Sequence, residues 1–338
     1  MKIVIVYLGK KVPKYVKSNI KYLSYTFPNE RFVILIDQAK FLDLESMENV
    51  ECVRLQDPYR SWTTRNQLLD NSTRSKNDFW YKTLARFKII EDYMLVKNEK
   101  ILHIEADVLL SPNFPFNLIK SINQNFAFPL INDLQGIASL LYIKNHDAAK
   151  ELIRFSEKVL NDFPDSTDMD ILGKLYKDRL NDVYVLPTID SNAKLSAKQF
   201  KLSINDAASH FKTFNGVFDG ATIGQFFFGL DRIHSSGLLK RYIYLAHHFV
   251  DPRNFNILIE EHNFYLSHKG SLIEVYNLHL HSKINHFFSL QRSKLKKYSL
   301  TPKVLFLSYF SLITYYRSKH YIIKHQFQKI KSVFRRFR

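Results

Sequence analysis

The stretch that decides the fold is "KILHIEADVLLSPN", residues 100–113, in which two carboxylates interrupt an otherwise apolar run. Apolar runs of this kind are typical of buried strands. Residues two apart on a strand point to the same face, so we expect Glu105 and Asp107 to converge on one object. Two buried carboxylates without a partner are strongly unfavourable. The pair therefore predicts a bound Mg²⁺ or Mn²⁺ ion, in competition with a strand end that faces water or pairs with Lys or Arg.

The first half of the chain alternates between strand and helix patterns. Apolar runs predict strands at 2–9, 31–37 and 50–55, and apolar side chains three and four apart predict helices over 13–27 and 79–95. This order indicates a parallel α/β sheet with right-handed crossovers. Such a sheet places ligands at the carboxyl ends of its strands.

The second half continues this alternation. "FAFPLI", "ASLLYIK" and "VYVLP" predict strands, whereas 147–162 and "MDILGKLYKD" predict helices. "FDGATIGQFFFGLD" (218–231) mixes glycines with aromatic residues, as a loop-to-helix element beside a pocket does. A polar region at 57–78 predicts a loop with short helices.

Composition sets limits on the class of protein. With 338 residues, of which 46% are apolar, the chain can bury one large core or two modest ones. Cys52 is the only cysteine, so neither a disulfide framework nor a cysteine-based zinc site is expected within one chain. The short apolar run at 3–8 favours a first strand over a signal peptide. No uncharged apolar stretch reaches about 18 residues, and we therefore expect a soluble, cytoplasmic body.

Positive charge is concentrated at the C-terminus. No acidic residue follows Glu274, and fourteen Lys and Arg residues lie from Lys283 onward. Subtracting these fourteen from the net charge of +17 leaves +3 for residues 1–282. The sequence thus predicts a nearly neutral body, residues 1–285, and a basic tail, residues 286–338.

"ILHIEADVLLSPN" resembles the metal-binding signature of GT-A-fold glycosyltransferases, which is usually written D-x-D and follows an apolar strand about a hundred residues into the domain. The first acid here is Glu105 rather than Asp. The resemblance implies a Rossmann-related mixed α/β sheet flanked by helices, and a nucleotide-sugar donor, most often a UDP-sugar. It also implies that Asp107 is a direct metal ligand and that Glu105 supports the metal or the ribose.

"NLHLHSK" supplies a second motif, in which His279 and His281 are two apart. In metal-dependent members of the family a C-terminal histidine often completes the coordination of the cation, and a nearby lysine holds the diphosphate. Neutral imidazole is a good ligand for Mn²⁺. Lys283 fits the lysine role, and His281 is preferred slightly over His279 because it is nearer to Lys283. A strand with two solvent-facing histidines is the alternative.

Three aspartates are candidates for catalysis. "DGATIGQ" resembles acceptor-side or catalytic loops of bacterial and viral GT-A enzymes, in which Asp219 either takes a proton from the acceptor hydroxyl or orients that hydroxyl. Capping of the helix that starts near Ala221 is the alternative role. Asp168 and Asp170 are weaker candidates, one of which is expected to cap the helix that follows.

Three further residues are candidates for the donor site. Lys82 and Arg86 are four apart and share a helix face. In the family this helix precedes the metal strand and often lends a basic residue to the donor site, although a solvated charge stripe explains the spacing equally well. Tyr7 ends the first strand, where the family commonly contacts the nucleotide base; a core tyrosine is the alternative.

The tail has the pattern of a helix on an anionic membrane surface. Apolar side chains recur at helical spacing from Ile323 to Phe337, with Lys and Arg on either side. A helix docked on the body is an alternative, and nucleic acid is a less favoured partner because no recognised binding motif is present.

Together these features predict a metal-assisted glycosyltransferase that is peripheral at the inner face of a bacterial membrane. Its acceptor would be a lipid-linked or surface-polysaccharide chain, such as capsule or lipopolysaccharide. A sugar nucleotidyltransferase is disfavoured because "YLGKKVPKYV" has a single glycine. A non-enzymatic protein that binds membrane or nucleic acid through its tail is the third possibility.

Overall fold

The computed structural model describes residues 1–9, 12–36, 44, 46–55, 78–190, 204–228, 248–260, 262–268, 271–281 and 298–300. Residues 57–77 of the predicted polar loop lie outside this part of the chain. Lys283 and the predicted membrane-surface helix at 321–338 also lie outside it.

Short strands make up much of the described chain. They are β1 (Lys2–Tyr7), β2 (Phe32–Ile36), β3 (Val50–Arg54), β4 (Ile101–Ile104), β5 (Val108–Leu110), β6 (Phe126–Asn132), β7 (Gln135–Gly136), β8 (Leu140–Ile143), β9 (Val183–Leu186), β10 (Gly216–Val217), β11 (Asn256–Glu260), β12 (Asn263–His268), β13 (Ser271–Val275), β14 (Asn277–His279) and β15 (Tyr298–Leu300).

The helices of the described residues range from one turn to more than five. They are α1 (Lys14–Thr26), α2 (Asp78–Lys97), α3 (Phe116–Lys120), α4 (His146–Asp162), α5 (Asp168–Asp178), α6 (Ile204–Ala208), α7 (Phe211–Phe214) and α8 (Thr222–Phe228). None of the helices in the described part of the chain has both the length and the apolar content that crossing a membrane requires.

A mixed sheet in the order β3-β2-β1-β4-β8-β6-β7, with β9 beside β6, forms the centre of the fold. The first four strands in this order are parallel, and β8 joins β4 antiparallel. The carboxyl ends of β1, β2 and β4 therefore lie at one edge of the sheet. The turn that carries Glu105 and Asp107 leaves β4 at that edge, where an α/β sheet binds its ligands.

The sheet is buried on both faces at its strands β2 and β4. All five residues of β2 and all four of β4 are buried, which matches near-continuous apolar strands covered by helices on either side. Helix α1 buries Val16, Ile20 and Leu23 at helical spacing. The fold is thus the mixed α/β sheet flanked by helices that the sequence predicts.

A second sheet has the order β10-β13-β12-β11-β15. The hairpins from β11 to β13 are antiparallel, and β10 joins β13 in parallel. The sequence analysis did not predict β11, β12 or β13. Their buried side chains alternate with half-buried or exposed ones rather than forming long apolar runs, so the apolar-run criterion overlooks them.

A two-stranded antiparallel ribbon joins the halves of the chain. β5 pairs with β14, so that Val108 lies opposite His279 and Leu110 opposite Asn277. Backbone hydrogen bonds extend the ribbon at both ends, from Ser111 N to the Tyr276 carbonyl (2.8 Å) and from Leu280 N to the Asp107 carbonyl (2.9 Å). This ribbon determines which residues meet beside β4.

Candidate active site

The two carboxylates lie in a turn and not within a continuous strand. β4 ends at Ile104 and β5 begins at Val108, and between them the Val108 N–H donates to the Glu105 carbonyl at 3.0 Å. The expectation of one strand through Glu105 and Asp107 is therefore wrong in this detail. Both side chains still reach the same place, because the turn brings them together where strand alternation was expected to do so.

The β5–β14 ribbon brings a histidine to this turn. His279 Nε2 lies 3.1 Å from Oε2 of Glu105 and 3.4 Å from Oδ1 of Asp107. One ligand atom from each of the three residues lies within 4.8 Å of the other two. We call Glu105, Asp107 and His279 the carboxylate–histidine cluster.

The cluster has the donor set of a divalent-cation site. Two carboxylates and one imidazole suit Mn²⁺ and tolerate Mg²⁺. An octahedral ion with bonds of about 2.1 Å places adjacent ligand atoms about 3 Å apart, close to the separations found here. The residues therefore fit a divalent cation, with Nε2 as the histidine ligand atom.

Without a cation, a proton on His279 compensates the negative charge of the two carboxylates. Burial alone would lower the pKa of His279, but Asp107 and Glu105 outweigh it and raise the pKa to about 10. Burial alone would raise the pKa of Glu105, but the Arg86 guanidinium and His279 hold it well below its usual range. A cation would thus take the place of one proton on His279.

Arg86 links the cluster to a third acid. Its side chain is buried on α2, where one guanidinium nitrogen pairs with Oε1 of Glu105 and the other lies 2.7 Å from Oδ2 of Asp168. Glu105 therefore uses one oxygen for Arg86 and turns the other toward His279. The predicted donor-site residue Lys82 is half-buried on the same helix.

Asp168 lies at the first position of α5, with its side chain directed to Arg86. Burial raises the pKa of Asp168, and the Arg86 charge opposes that rise. The predicted capping role belongs instead to Thr167, whose hydroxyl accepts from Asp170 N. Asp170 returns a bond to Thr167 N and so completes a capping box.

Asp219 is fully buried and binds backbone amides. Its Oδ1 accepts from Ile223 N at 2.8 Å, and its Oδ2 accepts from Gly224 N at 2.7 Å and from His279 N at 3.0 Å. Burial raises the pKa of Asp219, and the three N–H donors offset part of that rise. This geometry favours the capping alternative over a base that reaches an acceptor hydroxyl, and it adds a role for Asp219 in holding the backbone of His279.

Two further residues make this contact possible. The Asn277 side chain accepts from Asp219 N at 3.0 Å and donates to the Asp219 carbonyl at 3.1 Å. Gly224 allows α8 to approach β14 closely, since a Cβ at that position would lie 2.1 Å from the His279 carbonyl oxygen. Neither residue was predicted, because backbone contacts between distant segments leave no local pattern.

Two tyrosines lie close to each other near the carboxyl end of β1. Tyr7, a candidate for the donor side, is the last residue of β1 and is half-buried. Tyr15, in the first turn of α1, was not predicted; burial, Asp107, Tyr7 and Glu105 all raise its pKa. The signal that points to Tyr15 is its place just after the carboxyl end of β1.

His281 lies outside the cluster, although it is near. Its ring centroid is 4.5 Å from that of His279. In the described residues the structure therefore brings His279, and not His281, to the two carboxylates.

No family model matches the sequence, and no curated protein matches it either. Solved structures do resemble the fold. Galactosyltransferase LgtC, in complex with donor and acceptor sugar analogs, is 16% identical and covers 55% of this chain and 73% of its own, with a TM-score of 0.40. An active-site mutant of LgtC covers 65% and 85%, with 16% identity and a TM-score of 0.44. Mouse xyloside xylosyltransferase 1 covers 55% and 84%, with 8% identity and a TM-score of 0.40. The solved structures named here are glycosyltransferases.

Proposed function

We propose that this protein is a metal-dependent glycosyltransferase that moves a sugar from a nucleotide donor, first of all a UDP-sugar, to a glycan or lipid-linked acceptor. The observation that carries the proposal is the carboxylate–histidine cluster, in which residues from β14 and from the turn after β4 place three ligand atoms within 4.8 Å. The cluster lies at the carboxyl edge of the parallel strands, where nucleotides bind in α/β sheets.

Glu105, Asp107 and His279 would hold Mn²⁺ or Mg²⁺ in this proposal. When bound, the cation neutralises the charge that develops on the departing nucleoside diphosphate. The turn and β14 fix the three ligands before the reaction, so the site does not have to reorganise when this charge develops.

Arg86 and Asp168 shape the charge of the site. Arg86 keeps Glu105 ionised and therefore able to act as a ligand. Asp168 is our candidate for an acid that touches the sugar. Its Oδ2 lies 2.7 Å from the Arg86 guanidinium, which also pairs with Glu105, and Asp168 is therefore next to the cluster. We assign Asp219 to positioning, since its carboxylate is occupied by three backbone amides.

Tyr7 and Tyr15 are proposed to border the nucleotide. Tyr15 interacts with Asp107 and with Tyr7, and a tyrosine ring offers a flat apolar face to a base and a hydroxyl to a ribose or phosphate. Lys82 and Lys283 are proposed to contact the diphosphate.

The basic tail supports our proposal for the acceptor and the cellular setting. We propose that residues 286–338 bind an anionic membrane surface, which would bring the body to a lipid-linked acceptor or a growing capsule or lipopolysaccharide chain. The concentration of positive charge after Glu274 supports this setting. It implies a protein that is peripheral at the inner face of the cell membrane.

The experiment that tests the proposal is release of nucleotide from a panel of UDP-, GDP- and CDP-sugars, with and without Mn²⁺. We expect one donor class to be cleaved, slowly to water and faster with an acceptor extract. Asp107→Asn should abolish release, whereas Asp147→Asn, at an exposed position in the first turn of α4, should not. Equal release by both variants would overturn the proposal.

A further inference from the structure

One buried polar side chain on α1 contacts the turn that carries Asp107. Asn19 is fully buried, and its Nδ2 donates to the Ala106 carbonyl at 3.1 Å and to the Val108 carbonyl at 2.7 Å. These two carbonyls belong to the residues immediately before and after Asp107. Both hydrogens of one amide group therefore bridge the backbone across a proposed metal ligand.

The carbonyl between them is bound from another direction. Asp107 O accepts from Leu280 N at 2.9 Å, and Leu280 follows His279 in the chain. Three consecutive carbonyls are thus fixed, the outer two by Asn19 and the middle one by the strand that carries the histidine. This leaves the backbone at Asp107 with little freedom to turn its carboxylate away from the cluster.

The orientation of the Asn19 amide has a cost. Its Oδ1 is buried and has no hydrogen-bond partner among the described residues. A buried acceptor without a partner is unfavourable, and the amide cannot flip to relieve this, because both of its present partners are carbonyl acceptors. The Asn19 amide thus donates two hydrogen bonds to the turn, while its own oxygen remains without one.

We propose that Asn19 is a positioning residue for the cation site, which acts through the backbone on either side of Asp107; this inference rests on the proposed function. It holds the turn in the conformation that directs Asp107 toward His279. Loss of the amide should reduce the affinity for the cation more than it reduces the stability of the fold.

The test is Mn²⁺ affinity, measured from the electron paramagnetic resonance signal of free Mn²⁺, for wild type, Asn19→Leu and Tyr22→Phe. Leucine keeps the branched shape of asparagine with a larger volume, and it donates no hydrogen bond. Tyr22 is the matched control, because it lies on the same helix and its hydroxyl donates to the Leu110 carbonyl at 2.7 Å, at the far end of β5. Thermal unfolding of each variant gives its stability.

Asn19→Leu is expected to weaken Mn²⁺ binding by about 10- to 100-fold, as loss of partners that orient a metal ligand commonly does. Excess Mn²⁺ should restore most of its kcat. Tyr22→Phe should lower Tm while leaving Mn²⁺ affinity near that of wild type. If Asn19→Leu does not fold, Asn19→Ser, which retains one donor, should show a smaller loss of affinity in the same direction.

Two results would overturn the inference. One is Mn²⁺ affinity of Asn19→Leu or Asn19→Ser equal to that of wild type. The other is an equal loss of affinity in Tyr22→Phe, which would assign the effect to stability alone. Failure of wild type itself to bind Mn²⁺ would instead overturn the proposed function, and the inference with it.

Discussion

His279 Nε2 lies 3.4 Å from Oδ1 of Asp107, and the backbones of the two segments are joined by the β5–β14 ribbon. The ribbon sets this distance, since Val108 pairs with His279 and the Asp107 carbonyl accepts from Leu280 N. His279, in the second half of the chain, thus joins Glu105 and Asp107, in the first half, in one cluster. The geometry makes the two histidines of "NLHLHS" unequal, and this leads to the first prediction.

His279→Ala should weaken Mn²⁺ binding by more than about tenfold, and His281→Ala should weaken it less. The physical reason is that only His279 lies with the carboxylates in the described residues. Isothermal titration of Mn²⁺ into each variant measures the difference. A larger loss in His281→Ala would show that the ribbon changes register when the cation binds.

Arg86→Met should lower the free energy of unfolding of the metal-free protein by about 3–5 kcal/mol, because it leaves the carboxylates of Glu105 and Asp168 without the guanidinium that pairs with them. Arg179→Met is the control, since the Arg179–Glu151 ion pair at 2.7 Å is exposed and should contribute at most about 1 kcal/mol. Urea unfolding measures both values. Similar small losses in the two variants would contradict the structural importance of Arg86.

His103 should make the fold less stable in acid. Its ring is fully buried in β4, with Nδ1 3.0 Å from the Val4 carbonyl. Burial, assisted by the Arg86 charge, lowers the pKa of His103 from 6.5 to about 3. Above pH 6.5 the ring is neutral in both the folded and the unfolded state, and it contributes no pH dependence. As the pH falls below that value the unfolded chain takes up a proton that the folded chain refuses, so stability decreases by about 1.4 kcal/mol per pH unit.

Urea unfolding at pH 6.5 and pH 5.0 tests this. Wild type should lose about 2 kcal/mol more between these two pH values than His103→Gln, which does not titrate and keeps an N–H donor. Equal losses would mean that the folded protein admits the proton at His103.

Removal of residues 301–338 should abolish binding to anionic vesicles and leave nucleotide binding intact. Truncation after Lys294 should instead also destabilise the fold, because β15 (Tyr298–Leu300) pairs with β11. Vesicle flotation and thermal unfolding of the two truncated proteins separate these effects. Vesicle binding by the shorter of the two would place the membrane contact in the body.

Much of the fold could be predicted from the sequence, because the strands of the main sheet are apolar runs and the long helices have regular apolar spacing. β2 and β4 are buried throughout, and this is the pattern that identified them. The strands β11 to β13 were overlooked because each turns a half-buried or exposed face outward. Their pattern is weaker than that of strands in the main sheet.

The site was partly predictable for a similar reason. Glu105 and Asp107 are visible because charge is rare inside an apolar run, and His279 because it belongs to a compact motif. The partners that hold them, Asn19 and Asn277, are single polar residues that act on backbone atoms of distant segments. Only the packing of α1 against the turn after β4, and of β14 against the segment before α8, shows which backbone atoms they reach, and that packing is not a property of any one segment.

Calorimetric titration of UDP into wild type and Asp107→Asn, each with and without Mn²⁺, tests the metal-held nucleotide most directly. We expect wild type to bind UDP tightly only when Mn²⁺ is present, and the variant to lose this dependence while it remains folded. The absence of Mn²⁺-dependent nucleotide binding by folded wild type, with UDP and with the GDP and CDP controls, would contradict the proposal and leave the cluster a structural one.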